Sequence, residues 1–103
     1  MAKGYWIAKV DVHDPEAYKS YVQANAVAFR KYGARFVVRG GRAEVMEGKS
    51  RSRVVVLEFS DYDTALACYR SPEYAAAIAL RKDVSDADLV VIEGYEGPQP
   101  TDG

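Results

Sequence analysis

Apolar and polar residues alternate over residues 5–12, with Trp6, Ala8, Val10 and Val12 on one side and Tyr5, Ile7, Lys9 and Asp11 on the other. A period of two marks a strand with one face turned to a core. The period then changes. Asp14-Pro15-Glu16 reads as a helix start: Asp14 can accept from the free amides, Pro15 suits the first helical position, and Glu16 favours the positive end of the dipole. The helix is expected to run to about Tyr32 and stop at Gly33. Its stripe is Tyr18, Val22, Asn25, Phe29 and Tyr32, spaced four, three, four and three, and Tyr21, Ala24 and Ala28 widen it. Asn25 is the odd member. An amide on a buried face needs a partner, either neighbouring backbone or a ligand.

Two later segments depart from alternation. Val54-Val55-Val56-Leu57 and Leu89-Val90-Val91-Ile92 are apolar at every position, which predicts strands covered on both faces. The intervening chain supplies the rest of the order. Residues 34–38 read as a second strand, ended by Arg39-Gly40-Gly41-Arg42, where the paired glycines call for a bulge or a turn with positive φ. Residues 43–47 read as a continuing strand segment, and 48–52 as a polar, basic loop. The third strand is expected over 53–59. Ser60-Asp61-Tyr62-Asp63 resembles a capping box with aspartate in place of glutamate, opening a short helix over 63–70. Ser71-Pro72-Glu73 restarts a helix that runs to about Arg81, and residues 88–93 form the fourth strand.

The order strand, helix, strand, strand, broken helix, strand predicts an α+β, ferredoxin-like fold: two split βαβ halves forming one antiparallel sheet, with helices on one face. The other face is then bare. A chain of 103 residues has helix enough for one side only, so a second copy is expected to cover the open face, giving a homodimer through the sheet. One domain over 1–97 is expected, followed by a mobile tail over 98–103 that carries Pro98, Pro100 and Gly103.

Composition narrows the partners. Fourteen basic residues against fifteen acidic leave a formal net charge of −1, so nothing demands a nucleic acid or an anionic membrane. No apolar run approaches the ~20 residues of a membrane span, and the first residues lack the apolar stretch of a secretory signal; cytoplasm is the expected compartment. The single Cys68 allows no intrachain disulfide and excludes a Cys-rich zinc site. Set among Leu66, Ala67 and Tyr69, it is expected as a buried thiol.

Several short runs carry a family likeness. These are Gly4-Tyr5-Trp6, Asp14-Pro15-Glu16 with Tyr18, Arg39-Gly40-Gly41, Glu47-Gly48, Val56-Leu57-Glu58-Phe59, Tyr69-Arg70-Ser71-Pro72-Glu73-Tyr74, Arg81 and Glu93-Gly94. Together and in this order the chain resembles a bacterial family known as domain-of-unknown-function family thirteen-thirty. The resemblance implies the dimeric α+β barrel superfamily, in which two ferredoxin-like protomers bring their sheets together and whose members include cofactor-free oxygenases and isomerases. The family usually carries two glycines before the second strand. Here Gly33 is followed by Ala34, which touches only the detail of that turn.

The candidate chemistry is sparse. Arg39, before two glycines, reads either as a hook for an anion or as an ion-pair partner of Glu47 or Glu58. Glu58 and Glu93 each follow an apolar run; if buried they need a cation, and Arg39 and Arg81 are the expected partners. Eight tyrosines outnumber three phenylalanines, and Tyr18, Tyr21, Tyr69 and Tyr74 fall on helix faces turned to the sheet or its edge. They supply core area, or a polar-tipped lining for an aromatic or hydroxylated ligand. His13 lies beside Asp11 and Asp14 without a recognised metal spacing, and reads as an exposed loop residue. Gly48-Lys49-Ser50 mimics the end of a phosphate-binding loop, but Ala43 stands where the upstream glycine belongs. The basic loop Lys49-Ser50-Arg51-Ser52-Arg53 lacks the aromatic third strand of RNA-recognition modules. The expected ligand-binding set is Tyr18, Tyr21, Asn25, Arg39, Glu58, Tyr74 and Arg81, with no metal and no cofactor. The partners are a second copy and a small organic molecule, in the service of a cofactor-independent enzyme or a binding protein; a non-catalytic metabolite-sensing or interaction module is the alternative.

Overall fold

The computed structural model describes residues 2–102; Met1 of the expected domain and Gly103 of the expected tail lie outside the described residues. The elements are β1 (Gly4–Val12), α1 (Pro15–Tyr32), β2 (Arg35–Arg39), β3 (Arg53–Phe59), α2 (Tyr62–Tyr69), α3 (Pro72–Arg81) and β4 (Ser85–Glu93), with a short 3-10 turn at Pro100–Asp102. The sheet is antiparallel throughout, in the order β2-β3-β1-β4. This is the ferredoxin-like α+β fold.

Local chemistry sets the helix ends. Asp14 caps α1 by accepting from the Ala17 amide at 3.2 Å, and Gly33 closes it at φ 68°. A side chain would be strained there, which is why the helix stops at a glycine. Ser71 caps α3 through Tyr74 N at 3.1 Å, while its hydroxyl donates to the Cys68 carbonyl at 2.7 Å, so one serine joins the two halves of the broken helix. The cap of α2 is Asp61, not Ser60 as the capping-box reading had it. Its carboxylate accepts from Thr64 N at 2.7 Å, a stronger, charge-assisted cap.

Trp6 is the centre of the core, 1% exposed. Its ring meets Phe29 of α1 edge-on at 5.4 Å, Tyr74 of α3 at 4.8 Å, Tyr69 of α2 at 5.6 Å and Phe59 of β3 at 5.3 Å. Its indole N–H donates to the Ala65 carbonyl at 2.8 Å. Cys68 is fully buried.

Two segments differ from the expected pattern. Residues 43–47 are loop, and everything from Arg39 to Ser50 is exposed. A bulge between Phe36 and Val38 and the positive φ of Gly40 (64°) turn the chain off the sheet. Val45 and Met46 then have no strand to pair with. In the other direction, β4 begins at Ser85 rather than Asp88. Asp86 and Asp88 sit on the solvent side of the ladder, where His13 (2.8 Å) and Arg51 (2.9 Å) pair with them, so their polarity concealed a strand.

The open face carries one continuous apolar row. Val38 pairs with Val56, Val56 with Ile7, and Ile7 with Val90, so the row crosses all four strands. Val90 and Val38 are 51% and 40% exposed. The rows that flank it are mixed: Arg35, Glu58, Tyr5 and Ile92 on one side, Val54, Lys9 and Asp88 on the other.

Gly4 is buried on the helix side, and a Cβ there would lie 2.8 Å from the Tyr62 Cα at the entry to α2. Gly4→Ala is expected to destabilise by about 1–3 kcal/mol, as overpacking does. Gly41, with open space around it, should accept alanine with no loss or a gain of up to about 1 kcal/mol. Urea unfolding of both variants checks the contrast.

Candidate functional site

β1 turns Trp6, Ala8 and Val10 toward the helices. Trp6 fills the sheet-to-helix space at one end, but Ala8 is too small to do so farther along. Above it α1 contributes Tyr18, Tyr21, Val22, Asn25 and Phe29, and the result is a narrow cavity of ≈ 40 Å³. A space of that size takes a few waters or a small polar group. The wall is completed by Phe36 and Arg39 from β2, Arg53, Val55 and Leu57 from β3, Leu89 from β4 and Tyr74 from α3.

Five of the expected site residues meet here: Tyr18, Tyr21, Asn25, Arg39 and Tyr74. Asn25 is 7% exposed, and among the described residues nothing bonds its side-chain amide. The backbone bond that a buried amide on this face most often makes is not formed, and the side chain lines the cavity instead. Tyr21 and Tyr74 share a hydrogen bond of 2.7 Å between their hydroxyls. Arg81 borders the same pair from outside the wall, its guanidinium 5.4 Å from the Tyr21 ring centroid. Arg39 lies over the Phe36 ring at 4.2 Å.

Glu58 is not part of this constellation. It sits on the opposite face of the sheet, accepting from the Tyr5 hydroxyl at 3.2 Å with Lys3 and Arg35 each 3.9 Å away. Residues of one strand alternate between faces, so a glutamate next to inward Leu57 and Phe59 must point outward. Neither Arg39 nor Arg81 reaches it. Glu93 ends β4 exposed, and His13 is exposed beside Asp86.

Arg53 also lines the cavity, although in the sequence it reads only as the start of the third strand and the end of a basic run. It pairs with Val10 in the ladder and shares the inward face of Val55 and Leu57. Its Nε is buried and unpartnered. A Cβ on Gly40 would overlap its guanidinium, so the glycine turn makes room for this arginine. The parity of β3 was the available signal: position 53 has the inward phase. Arg51, the loop's other arginine, is used up on the open face, bonded to Asp11 at 3.0 Å and Asp88 at 2.9 Å.

Burial pushes the Tyr74 phenol far above the ordinary tyrosine range, with Tyr21 adding to the effect. Burial also raises Tyr18, against the opposing pull of Arg53 and Arg81. Both therefore stay protonated as hydrogen-bond donors at neutral pH. The Cys68 thiol is pushed up to about 12, chiefly by burial, which keeps it unreactive. Among the described residues no group of three or more His, Cys, Asp or Glu side chains is arranged to hold a metal ion, and no helix is long and apolar enough to cross a membrane.

Fold and cavity together define a ferredoxin-like α+β protein with a small pocket between helices and sheet. The chain belongs to the family described as domain of unknown function (DUF1330), whose profile matches residues 3–95. Among solved structures it is similar to RPA0582, a protein of unknown function from Rhodopseudomonas palustris (TM-score 0.72, 17% identity, 93% of this chain and 85% of that one). It is similar also to SnoaB, a cofactor-independent oxygenase from Streptomyces nogalater (TM-score 0.66, 15% identity, 100% of both chains). A third is a dimeric ferredoxin-like protein of unknown function from Thermobifida fusca (TM-score 0.60, 16% identity, 89% and 91%). No curated protein matches the chain.

The phenols give a direct check. A tyrosine whose folded pKa is raised contributes stability that is intact below the unfolded value near 10 and is lost as pH rises through the folded value. Absorbance at 295 nm should therefore rise in two phases on alkaline titration. Solvated tyrosines ionise first, and Tyr74 only as the helical circular dichroism collapses. Complete ionisation with the fold intact would contradict this burial.

Proposed function

We propose that this protein is a homodimer that binds a small organic molecule in the cavity between α1 and the sheet. Asn25 carries the ligand half of this reading: a buried amide at the cavity wall, unpartnered among the described residues. A largely buried amide needs a hydrogen-bond partner, and a ligand in the cavity can supply one. The apolar row Val38-Val56-Ile7-Val90 supports the dimer half. Flanked by rows that mix apolar residues with charges of both signs, it suits a second copy of itself better than a foreign surface. The Thermobifida protein, described as dimeric, agrees in fold.

A cofactor-independent reaction of the oxygenase or isomerase kind is one use of such a site, in keeping with the SnoaB likeness. The wall offers phenols, an amide and guanidinium groups, but no carboxylate or imidazole to take a proton. That composition favours a second reading, a binding or sensing module without turnover. Mass analysis of any bound compound after incubation in air separates the two.

Two variants test the proposal. Asn25→Leu replaces the unpaired amide with an apolar group of similar size. It is expected to raise stability by about 1 kcal/mol or leave it unchanged while abolishing the thermal shift given by ligands of the wild type. A large loss of stability would mean that the amide is structural. Val90→Glu places a charge at an already exposed position, so it should keep the fold while converting a dimer to a monomer in light scattering. A wild-type chain that runs as a monomer at micromolar concentration would end the dimer reading.

A further inference from the structure

The cavity wall has an unbalanced charge. Arg39 and Arg53 both line it, and no aspartate or glutamate does. The two are diagonal neighbours on the inward face: Arg39 pairs with Val55, two residues along β3 from Arg53. Among the described residues neither forms an ion pair, and Arg81, behind Tyr21, forms none either. The nearby carboxylates are engaged elsewhere: Asp11 and Asp88 hold Arg51, and Glu58 faces the other side of the sheet. A half-buried guanidinium with an orphaned Nε is costly to keep without a partner of opposite charge.

Resting on the ligand-binding reading above, we infer that the ligand is a flat organic anion whose carboxylate, or equivalent planar oxyanion, is held by Arg53 inside the cavity and Arg39 at its mouth. The guanidinium fork matches two oxygens in one plane. Asn25 and the Tyr18 hydroxyl are further donors on the same wall, and the aromatic side chains Phe36, Phe29 and Trp6 accept a ring. The enclosed space fits the head group alone. Arg39 is exposed and rests on Phe36, so moving it off that ring opens room for the rest of the molecule.

Matched pairs of probes test this: benzoate against benzamide, and 1-naphthoate against 1-naphthamide, titrated into the full chain. Binding is read from the Asn25 side-chain amide and the Trp6 indole N–H by NMR. The expected result is that a carboxylate shifts both signals and binds at least tenfold more tightly than its amide. Arg53→Met should remove that preference and leave amide binding unchanged. Arg39→Met, at an exposed position, should reduce it in part even if the Arg53 variant folds poorly. Equal binding of carboxylate and amide at these signals would overturn the anion inference while leaving the ligand site standing. No shift from any of the four probes would remove the ligand site and the inference with it.

Discussion

The packing of Trp6 is the constraint on which the rest of the structure depends. One side chain from the central strand β1 touches all three helices through Phe29, Tyr69 and Tyr74, and its N–H is spent on a carbonyl of α2. An indole can pack this deeply only if its polar atom is satisfied, and the Ala65 carbonyl does so. The spacing between helices and sheet is thereby set by a large ring. Farther along β1 the inward residue is Ala8, and the gap that Trp6 holds open is left partly unfilled beneath Tyr18 and Asn25. The cavity is a consequence of how the core is propped.

β3 shows how one strand serves both faces. Arg53, Val55, Leu57 and Phe59 look toward the helices, while Val54, Val56 and Glu58 look outward. Because the side-chain period is two, a slip of one residue would exchange these sets, placing Arg53 on the open face and Glu58 in the cavity. The buried side chains of Leu57 and Phe59 make that slip prohibitively unfavourable. The cavity's positive charge is therefore a matter of register, as well as of composition.

Much of the fold was legible in the sequence because its signals are local. Asp14-Pro15, Gly33 and Ser71-Pro72 mark helix ends through hydrogen bonds that involve only a few consecutive residues. The unbroken apolar runs correctly marked β3 and β4 as strands, although β4 is an edge strand whose outward Val90 and Ile92 are about half exposed in the single chain, and the arrangement of elements followed. The errors lie where tertiary context decides. Residues 43–47 read as a continuing strand segment yet find no ladder to join, because the Gly40 turn leads them away. Asp86 and Asp88 look like loop yet are strand, because β1 offers backbone partners as far as Val12. For the cavity wall, the stripe of α1 pointed to Tyr18, Tyr21 and Asn25, since residues on one helix face share an environment, and Tyr74 comes from the inward face of α3. Arg53 was missed because its neighbours in the chain are basic and polar, while its neighbours in space are Val10 and the Gly40 turn.

The electrostatics of the cavity limit what it can do to a bound molecule. Guanidinium groups and protonated phenols stabilise negative charge, and in a confined, poorly hydrated space they do so more strongly than in water. They lower the cost of an anion already present or forming. They are poor proton acceptors, since burial raises the pKa of Tyr18 and Tyr74 and the wall has no carboxylate or imidazole. Any reaction supported here would begin from a ligand acidic enough to ionise by itself, with the protein's part being to hold the resulting charge and keep water away. Under the proposed reading, recognition of an anion and stabilisation of a reactive one would use the same side chains in the same positions, and the acidity of the ligand would decide between the two.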